Sequence, residues 1–162
     1  MPSTRLSRPA SLVDPRGPRL GAALTTLVLA AALATGWAWL LVLQAVVFAL
    51  GAAGRSPYGV LYARLLRSRL GPPAELEDTR PLRFAQAVGL VFTTVALVGL
   101  AAPTGLVTLV ATAFALAAAF LNAAFGVCLG CEAYLLLRRS NPIARTVPNP
   151  RAATPTRTEV PA

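Results

Sequence analysis

Apolar residues in this chain lie in two long runs without a charged residue, Leu20 to Gly54 and Phe84 to Cys131. They do not alternate with polar positions at the period of a half-buried helix or strand. Uncharged runs of this kind are typical of membrane-spanning helices. As a single helix the first run would be about 52 Å long, whereas the hydrocarbon core of a bilayer is about 30 Å thick. Each run therefore predicts two spans, and the fold class is all-α and polytopic.

Breaks inside the two runs divide them into these spans. The first run is interrupted at Thr35-Gly36, next to Trp37 and Trp39, which suit an aromatic belt at the membrane surface. The second is interrupted at Pro103-Thr104-Gly105, and proline with glycine ends helices strongly. The predicted spans are residues 20–35, 37–53, 84–102 and 105–127.

The charged residues predict the orientation of the four spans. All 15 basic residues are arginine, the net charge is +9, and every arginine falls before the first span, between the second and third, or after the fourth. Arginine-rich segments stay in the cytoplasm, so the chain is expected in a bacterial cytoplasmic (inner) membrane with both ends inside. The positive net charge is explained by the arginines that orient the spans, so no nucleic-acid partner is expected.

The remaining segments divide around a membrane domain of residues 19–139. Residues 1–18 are expected to remain as a cytoplasmic tail, and not to be removed as a signal peptide. Residues 57–70 predict a short amphipathic helix at the inner membrane surface, capped by Ser56. The segment 75–78, which holds three acidic residues, predicts a solvated turn, and the proline-rich residues 140–162 predict a disordered cytoplasmic tail.

Candidate chemistry is confined to Cys128-Leu129-Gly130-Cys131, which holds both cysteines of the chain. The sequence has no histidine and no lysine, which excludes imidazole-assisted nucleophiles, imidazole metal ligands and Schiff bases. Two thiols at this spacing can close a disulfide, and the motif can lower a thiol pKa. Cys128 is the predicted attacking thiol, Cys131 the resolving thiol and Glu132 a proton acceptor. Gly126 and Gly130 are expected to break the helix and to leave Cys128 near a new helix N-terminus.

Two other interpretations of the cysteine pair stay open from the residues alone. The thiols could be inert small side chains packed inside the membrane. They could also bind zinc, but four ligands would then require Glu132 or a second copy of the chain. No metal and no cofactor are predicted.

Four motifs together resemble a known family. They are Val13-Asp14-Pro15-Arg16, Arg55-Ser56-Pro57-Tyr58, Pro81-Leu82-Arg83-Phe84-Ala85-Gln86, and Phe125 to Cys131 followed by Tyr134. The chain is similar over residues 12–138 to a bacterial domain-of-unknown-function family of small four-helix membrane proteins. The resemblance implies an association with thioredoxin-like and sulfurtransferase proteins, and so it favours thiol or sulfur chemistry at Cys128 and Cys131.

The function predicted from these observations is thiol–disulfide exchange or sulfur relay at the cytoplasmic end of the fourth span, as an oxidoreductase component. The expected partners are the lipid bilayer and a thioredoxin-like or sulfurtransferase protein, and self-association into a homo-oligomer is left open. One alternative is a non-enzymatic membrane scaffold or assembly subunit. A further alternative is a small-solute carrier, which the lack of charges inside the spans disfavours.

Overall fold

The computed structural model of the chain describes residues 12–71 and 76–140. The predicted disordered tail lies almost entirely outside these residues, as do most of the N-terminal tail and Glu75. Helices dominate what is described, which confirms the all-α prediction. The elements in chain order are β1 (Leu12–Val13), α1 (Arg16–Thr35), α2 (Ala38–Ala52), α3 (Pro57–Leu65), α4 (Arg67–Leu70), β2 (Glu77–Asp78), α5 (Thr79–Gly99), α6 (Leu106–Phe125) and α7 (Leu129–Ser140).

Four helices, α1, α2, α5 and α6, form an antiparallel bundle in which α1 packs against α2 and α6, and α5 packs against α2 and α6. Every charged residue of the described ranges belongs to the end where α1 and α5 begin and α2 and α6 end. This end is called the charged end below. The opposite end carries the two tight connections at residues 36–37 and 100–105 and is called the uncharged end.

The buried core of the bundle lies nearer the uncharged end. It is small in volume because alanine supplies much of it. Its buried members are Leu29, Ala32, Leu40, Leu41, Ala96, Ala111 and Ala115. Helix α6 contributes Ala111 and Ala115 to this core.

Glycines allow the helices to approach closely. A Cβ built on Gly89 of α5 would lie 2.7 Å from the Phe48 ring of α2, and one on Gly99 would lie 2.8 Å from the backbone nitrogen of Thr108. Neither position has room for a side chain, because interiors are packed without spare volume. These two contacts fix how α5 lies against its neighbours.

One buried amide links three helices on the inner side of the bundle. Gln44 of α2 is fully buried, its Nε2 donates to Oγ1 of Thr25 on α1 at 3.1 Å, and its Oε1 accepts from the Tyr58 hydroxyl of α3 at 3.2 Å. A buried amide is tolerated in an apolar interior when its hydrogen bonds are made.

The segment predicted as one surface helix at 57–70 is divided at Leu66 into α3 and α4. Ser56 caps α3 as predicted, since its Oγ accepts from the backbone N–H of Gly59 at 3.1 Å. The chain bends by 82° between α2 and α3, and Tyr62 is buried against Gly17 of α1. Leu61 remains 40% exposed. Helix α3 therefore packs on the bundle through Tyr62, and its leucines lie on the exposed side.

The N-terminal segment is joined to α3 and to β2. The Tyr62 hydroxyl donates to Oδ2 of Asp14 at 2.7 Å, and this hydrogen bond raises the pKa of Tyr62. Leu12 and Val13 pair antiparallel with Asp78 and Glu77. The prediction of a solvated turn at residues 75–78 is wrong for its last two residues, because β2 forms there; its partner strand lies more than 60 positions earlier in the chain, beyond the reach of local sequence patterns.

Three of the described helices are long and apolar enough to cross a membrane. These are α1, α5 and α6, with mean hydropathies of 1.4, 1.6 and 2.0. The pair α2 and α3 passes the same test only when taken together across its 82° bend. Large apolar side chains face outward along these helices, for example Leu27 at 67% and Val98 at 71% exposed, which is compatible with a lipid environment.

Candidate functional site

The end of α6 positions the first cysteine. Gly126 closes α6 in the left-handed region with φ 72°, a conformation that glycine adopts without strain. Its N–H donates to the Asn122 carbonyl at 3.0 Å, and the N–H of Val127 donates to the Leu121 carbonyl at 3.4 Å. The chain leaves the α6 axis here, so that Cys128 opens a separate helix. The predicted break at Gly126 is therefore confirmed.

Cys128 caps the N-terminus of α7. Its Sγ accepts from the backbone N–H of Cys131 at 3.3 Å, and its carbonyl accepts from the N–H of Glu132 at 3.0 Å. A helix N-terminus carries partial positive charge and unpaired N–H groups. In the reduced pair, these groups would stabilise a thiolate at Cys128.

The two cysteines form a disulfide, with their Cα atoms 5.2 Å apart. Both are partly buried, and Glu132 follows in the first turn of α7 with its side chain exposed. The structure thus brings all three sequence-predicted site residues, Cys128, Cys131 and Glu132, to one helix N-terminus at the charged end. Their chemical roles remain predictions.

Gly130 holds this helix against α5 and does not break it. It is the second residue of α7, so the prediction that it would interrupt the helix is wrong. A Cβ on Gly130 would lie 2.6 Å from the Cβ of Ala85 and 2.7 Å from its Cα. The rings of Phe84 and Tyr134 pack beside this contact with centroids 5.6 Å apart. The absence of a side chain at Gly130 therefore lets the cysteine pair sit directly on α5.

A cleft of about 510 Å³ at the charged end gives access to the disulfide. Both cysteines line it, together with Arg19, Asp78 and Glu132. The Arg19 guanidinium carbon lies 3.6 Å from the position that a Cβ on Gly126 would occupy. A cation beside the loop that leads into Cys128 favours the thiolate form of a nearby thiol.

A second, apolar cavity of about 250 Å³ lies on the bundle side of the same cysteine. Cys128 and Asn122 line both the cleft and this cavity. The cavity extends between the bundle helices to Phe48 and Phe92. Sequence reasoning missed it, because its walls come from five helices that no local pattern brings together.

Metal coordination finds no support in the described residues. No group of three or more histidine, cysteine, aspartate or glutamate side chains is placed there to hold an ion.

These features define the class of the protein as an all-α bundle of apolar, membrane-type helices with a cysteine pair at the N-terminus of a short terminal helix. The family model for a domain of unknown function, DUF4395, matches residues 13–139, and the chain belongs to this family. The resemblance drawn from the motifs is thereby confirmed. The match spans the bundle, both cysteines and all but the last residue of α7. Searches of curated proteins and of solved structures found no match.

Proposed function

We propose that this chain is a four-span protein of the bacterial cytoplasmic membrane that exchanges electrons between its Cys128–Cys131 pair and a soluble thioredoxin-like protein. The observation that carries the proposal is the position of Cys128, which caps α7 on the wall of a cleft at the charged end. A cysteine pair packed for stability alone needs neither a helix N-terminus nor a cleft.

The proposed topology uses α1, α2, α5 and α6 as spans, with the charged end in the cytoplasm. Helix α2 is short for a span, since its 15 residues rise about 22 Å. A short span is accommodated by local thinning of the bilayer at modest cost. The bend after α2 would then carry α3 along the membrane surface, where its exposed leucines meet lipid and Tyr62 stays on α1.

The exchange takes place in two substitutions at sulfur. A thiolate of the reduced partner attacks Sγ of Cys128, the Cys128–Cys131 bond breaks, and Cys131 leaves with the electron pair and takes up a proton. The second partner thiolate then attacks the partner sulfur of the mixed disulfide and releases Cys128 as a thiolate. The partner ends as a disulfide and the membrane pair as a dithiol.

The geometry suits Cys128 for the bond to the partner. The N–H of Cys131 already points at its sulfur, so the departing Cys128 thiolate keeps a hydrogen bond and the favourable helix dipole. Exposed Glu132 lies in the same turn and is proposed to pass protons between Cys131 and water.

The test uses the purified full chain in lipid nanodiscs with its disulfide intact. Reduced thioredoxin is added, and free thiols are counted over time by the mass gained on maleimide alkylation. Two thiols should appear per chain. In the Cys131→Ser variant, thioredoxin lacking its resolving cysteine and activated as a mixed disulfide should become linked to Cys128, while Cys128→Ser serves as the matched control and should form much less adduct. If the wild-type disulfide stays intact and Cys131→Ser forms no adduct, the exchange role is wrong and the scaffold alternative replaces it.

A further inference from the structure

Cys128 separates two compartments of different chemistry. The cleft on one side includes the charged side chains of Arg19 and Glu132. The cavity on the other side has largely aliphatic and aromatic walls, to which α1, α2, α5, α6 and α7 all contribute. Exchange with a soluble partner uses only the cleft, which leaves the cavity without a role in that reaction.

Aromatic side chains line the cavity at its far side. Phe48 is buried in the bundle, whereas Phe114 is 61% exposed on the outer surface of α6. Phe92 stacks on Phe114 with ring centroids 6.3 Å apart and planes 27° apart. The cavity therefore runs from Cys128 to a pair of rings at the outer surface, where a lipid-soluble molecule would enter.

Two amide side chains are the hydrogen-bonding groups best placed to orient such a molecule. Gln86 of α5 and Asn122 of α6 both line the cavity, and each amide can donate to a carbonyl oxygen. The volume of about 250 Å³ lies just below the range of ordinary small-molecule sites. It fits one substituted ring better than a larger fused system, with an alkyl tail left outside among the lipids.

We propose that this cavity takes the ring of a quinone-class electron carrier, which reoxidises the Cys128–Cys131 dithiol. The inference rests on the proposed exchange, because that exchange supplies the dithiol. The two thiols lose two electrons and two protons as the S–S bond forms. The two ring carbonyls each gain one electron and one proton, so that the quinone leaves as its hydroquinone. The membrane protein thereby passes electrons from a soluble dithiol to a lipid-soluble acceptor.

A side chain that fills the cavity separates this reaction from the exchange in the cleft. Ala119 lines the cavity on α6, whereas Ala117 on the same helix is exposed and does not line it. Ala119→Leu should lower the rate of quinone-dependent reoxidation by about tenfold, since a few methylene groups in a small apolar site have effects of this size. Ala117→Leu is the matched control and should leave the rate unchanged.

The measurement uses full-length chain in nanodiscs, reduced beforehand and freed of reductant. Decyl-benzoquinone is added under anaerobic conditions, and loss of free thiols is followed together with hydroquinone absorbance; the matching decyl-benzene, which has no carbonyls, is a blank. One hydroquinone should form per disulfide. Reduction of each variant by thioredoxin is measured alongside. If Ala119→Leu loses that reaction, Ala118→Val is tested in its place, because valine fills less of the cavity.

The outcomes separate the two proposals. Reduction by thioredoxin without any oxidation by the quinone overturns the cavity inference and leaves the exchange role standing. Equal rates of quinone reaction in Ala119→Leu and Ala117→Leu, with thioredoxin reduction retained, also overturn it, because the quinone then reacts elsewhere. Failure of thioredoxin to reduce the wild-type protein instead overturns the exchange role on which the inference rests.

Discussion

The two ends of the bundle are built from the same apolar helices but differ in packing and in access. At the uncharged end, connections are short, and Thr108 hydrogen-bonds across them to the Ala96 carbonyl at 2.8 Å. Most of the buried core lies on this side. At the charged end, extra elements cross between helices, and the cleft and the apolar cavity meet at Cys128. Packing for stability is thus concentrated away from the cysteine pair, while space and access are found beside it.

Arginine side chains at the charged end hydrogen-bond to segments that are distant in sequence. Arg83 donates from Nε to the Ala52 carbonyl at 2.9 Å, and Arg16 donates to the Leu70 carbonyl at 3.1 Å. These are arginines that the orientation argument assigns to the cytoplasm. They also bond carbonyls near helix ends, where carbonyl groups lack partners within the helix.

The largest effect is expected from a side chain at Gly130. Gly130→Val would place atoms where Ala85 already lies, so α7 must move away from α5 and carry the cysteines with it. Overpacking of this kind costs about 1–3 kcal/mol. Thiol exchange with thioredoxin should slow by about tenfold or more, in line with the effect of misplacing reacting groups.

The matched control for Gly130→Val is Ala113→Val, at an exposed position of α6 away from the site. It should retain both stability and exchange rate. An exchange rate in Gly130→Val equal to wild type would contradict the placement of the cysteine pair on α5.

A smaller effect is expected where α3 is joined to the N-terminal segment. Tyr62→Phe removes the hydroxyl that donates to Asp14, and a hydrogen bond to a charged group is stronger than one between neutral groups. Hydrogen exchange should rise at residues 12–20 and 57–65, measured by mass spectrometry in nanodiscs.

Tyr58→Phe is the comparison for this change. It removes the hydrogen bond to Gln44 inside the bundle but leaves the contact between Tyr62 and Asp14 intact, so hydrogen exchange at residues 12–20 should rise less than in Tyr62→Phe. Equal protection in Tyr62→Phe and wild type would show that the Asp14 contact does not hold the charged end together.

The smallest effect is expected at the uncharged end, with the opposite sign. Thr112 is 1% exposed, and its Oγ1 has no hydrogen-bond partner among the described residues. Thr112→Val keeps the shape of the side chain and removes the unpaired hydroxyl, so it should stabilise the protein by about 1 kcal/mol.

The control is Thr93, whose Oγ1 is equally buried but donates toward the Gly89 and Leu90 carbonyls at 3.0 Å. Thr93→Val should therefore fail to stabilise, and detergent-denaturation curves of both variants should separate; a loss of stability in Thr112→Val would reveal a partner for its hydroxyl.

The fold followed from sequence wherever the signal was local. Hydropathy and the breaks at Gly36 and Gly105 predicted the four bundle helices, and Ser56-Pro57 predicted the start of α3. What could not be predicted depends on contacts between distant segments. The pairing of β1 with β2 is one case, and the packing of Gly130 on Ala85 is another.

The candidate site could likewise be predicted from the sequence only in part. Cys128, Cys131 and Glu132 could be chosen from spacing and from the absence of histidine and lysine. The cap that Cys128 places on α7 follows from Gly126, a glycine at the end of an apolar helix, and was also within reach of the sequence. The cavity behind Cys128 was not, because its walls depend on the three-dimensional arrangement of five helices.

The central claim is that a thiol pair at the charged end exchanges electrons with the cytoplasm, and sided membrane vesicles test it most directly. Reduced thioredoxin and a membrane-impermeant maleimide are added to inside-out and to right-side-out vesicles that contain the full chain. Cys128 and Cys131 should become alkylated in inside-out vesicles after thioredoxin is added, and should remain unlabelled in right-side-out vesicles. Labelling confined to right-side-out vesicles, or no thioredoxin-dependent labelling in either preparation, would contradict it.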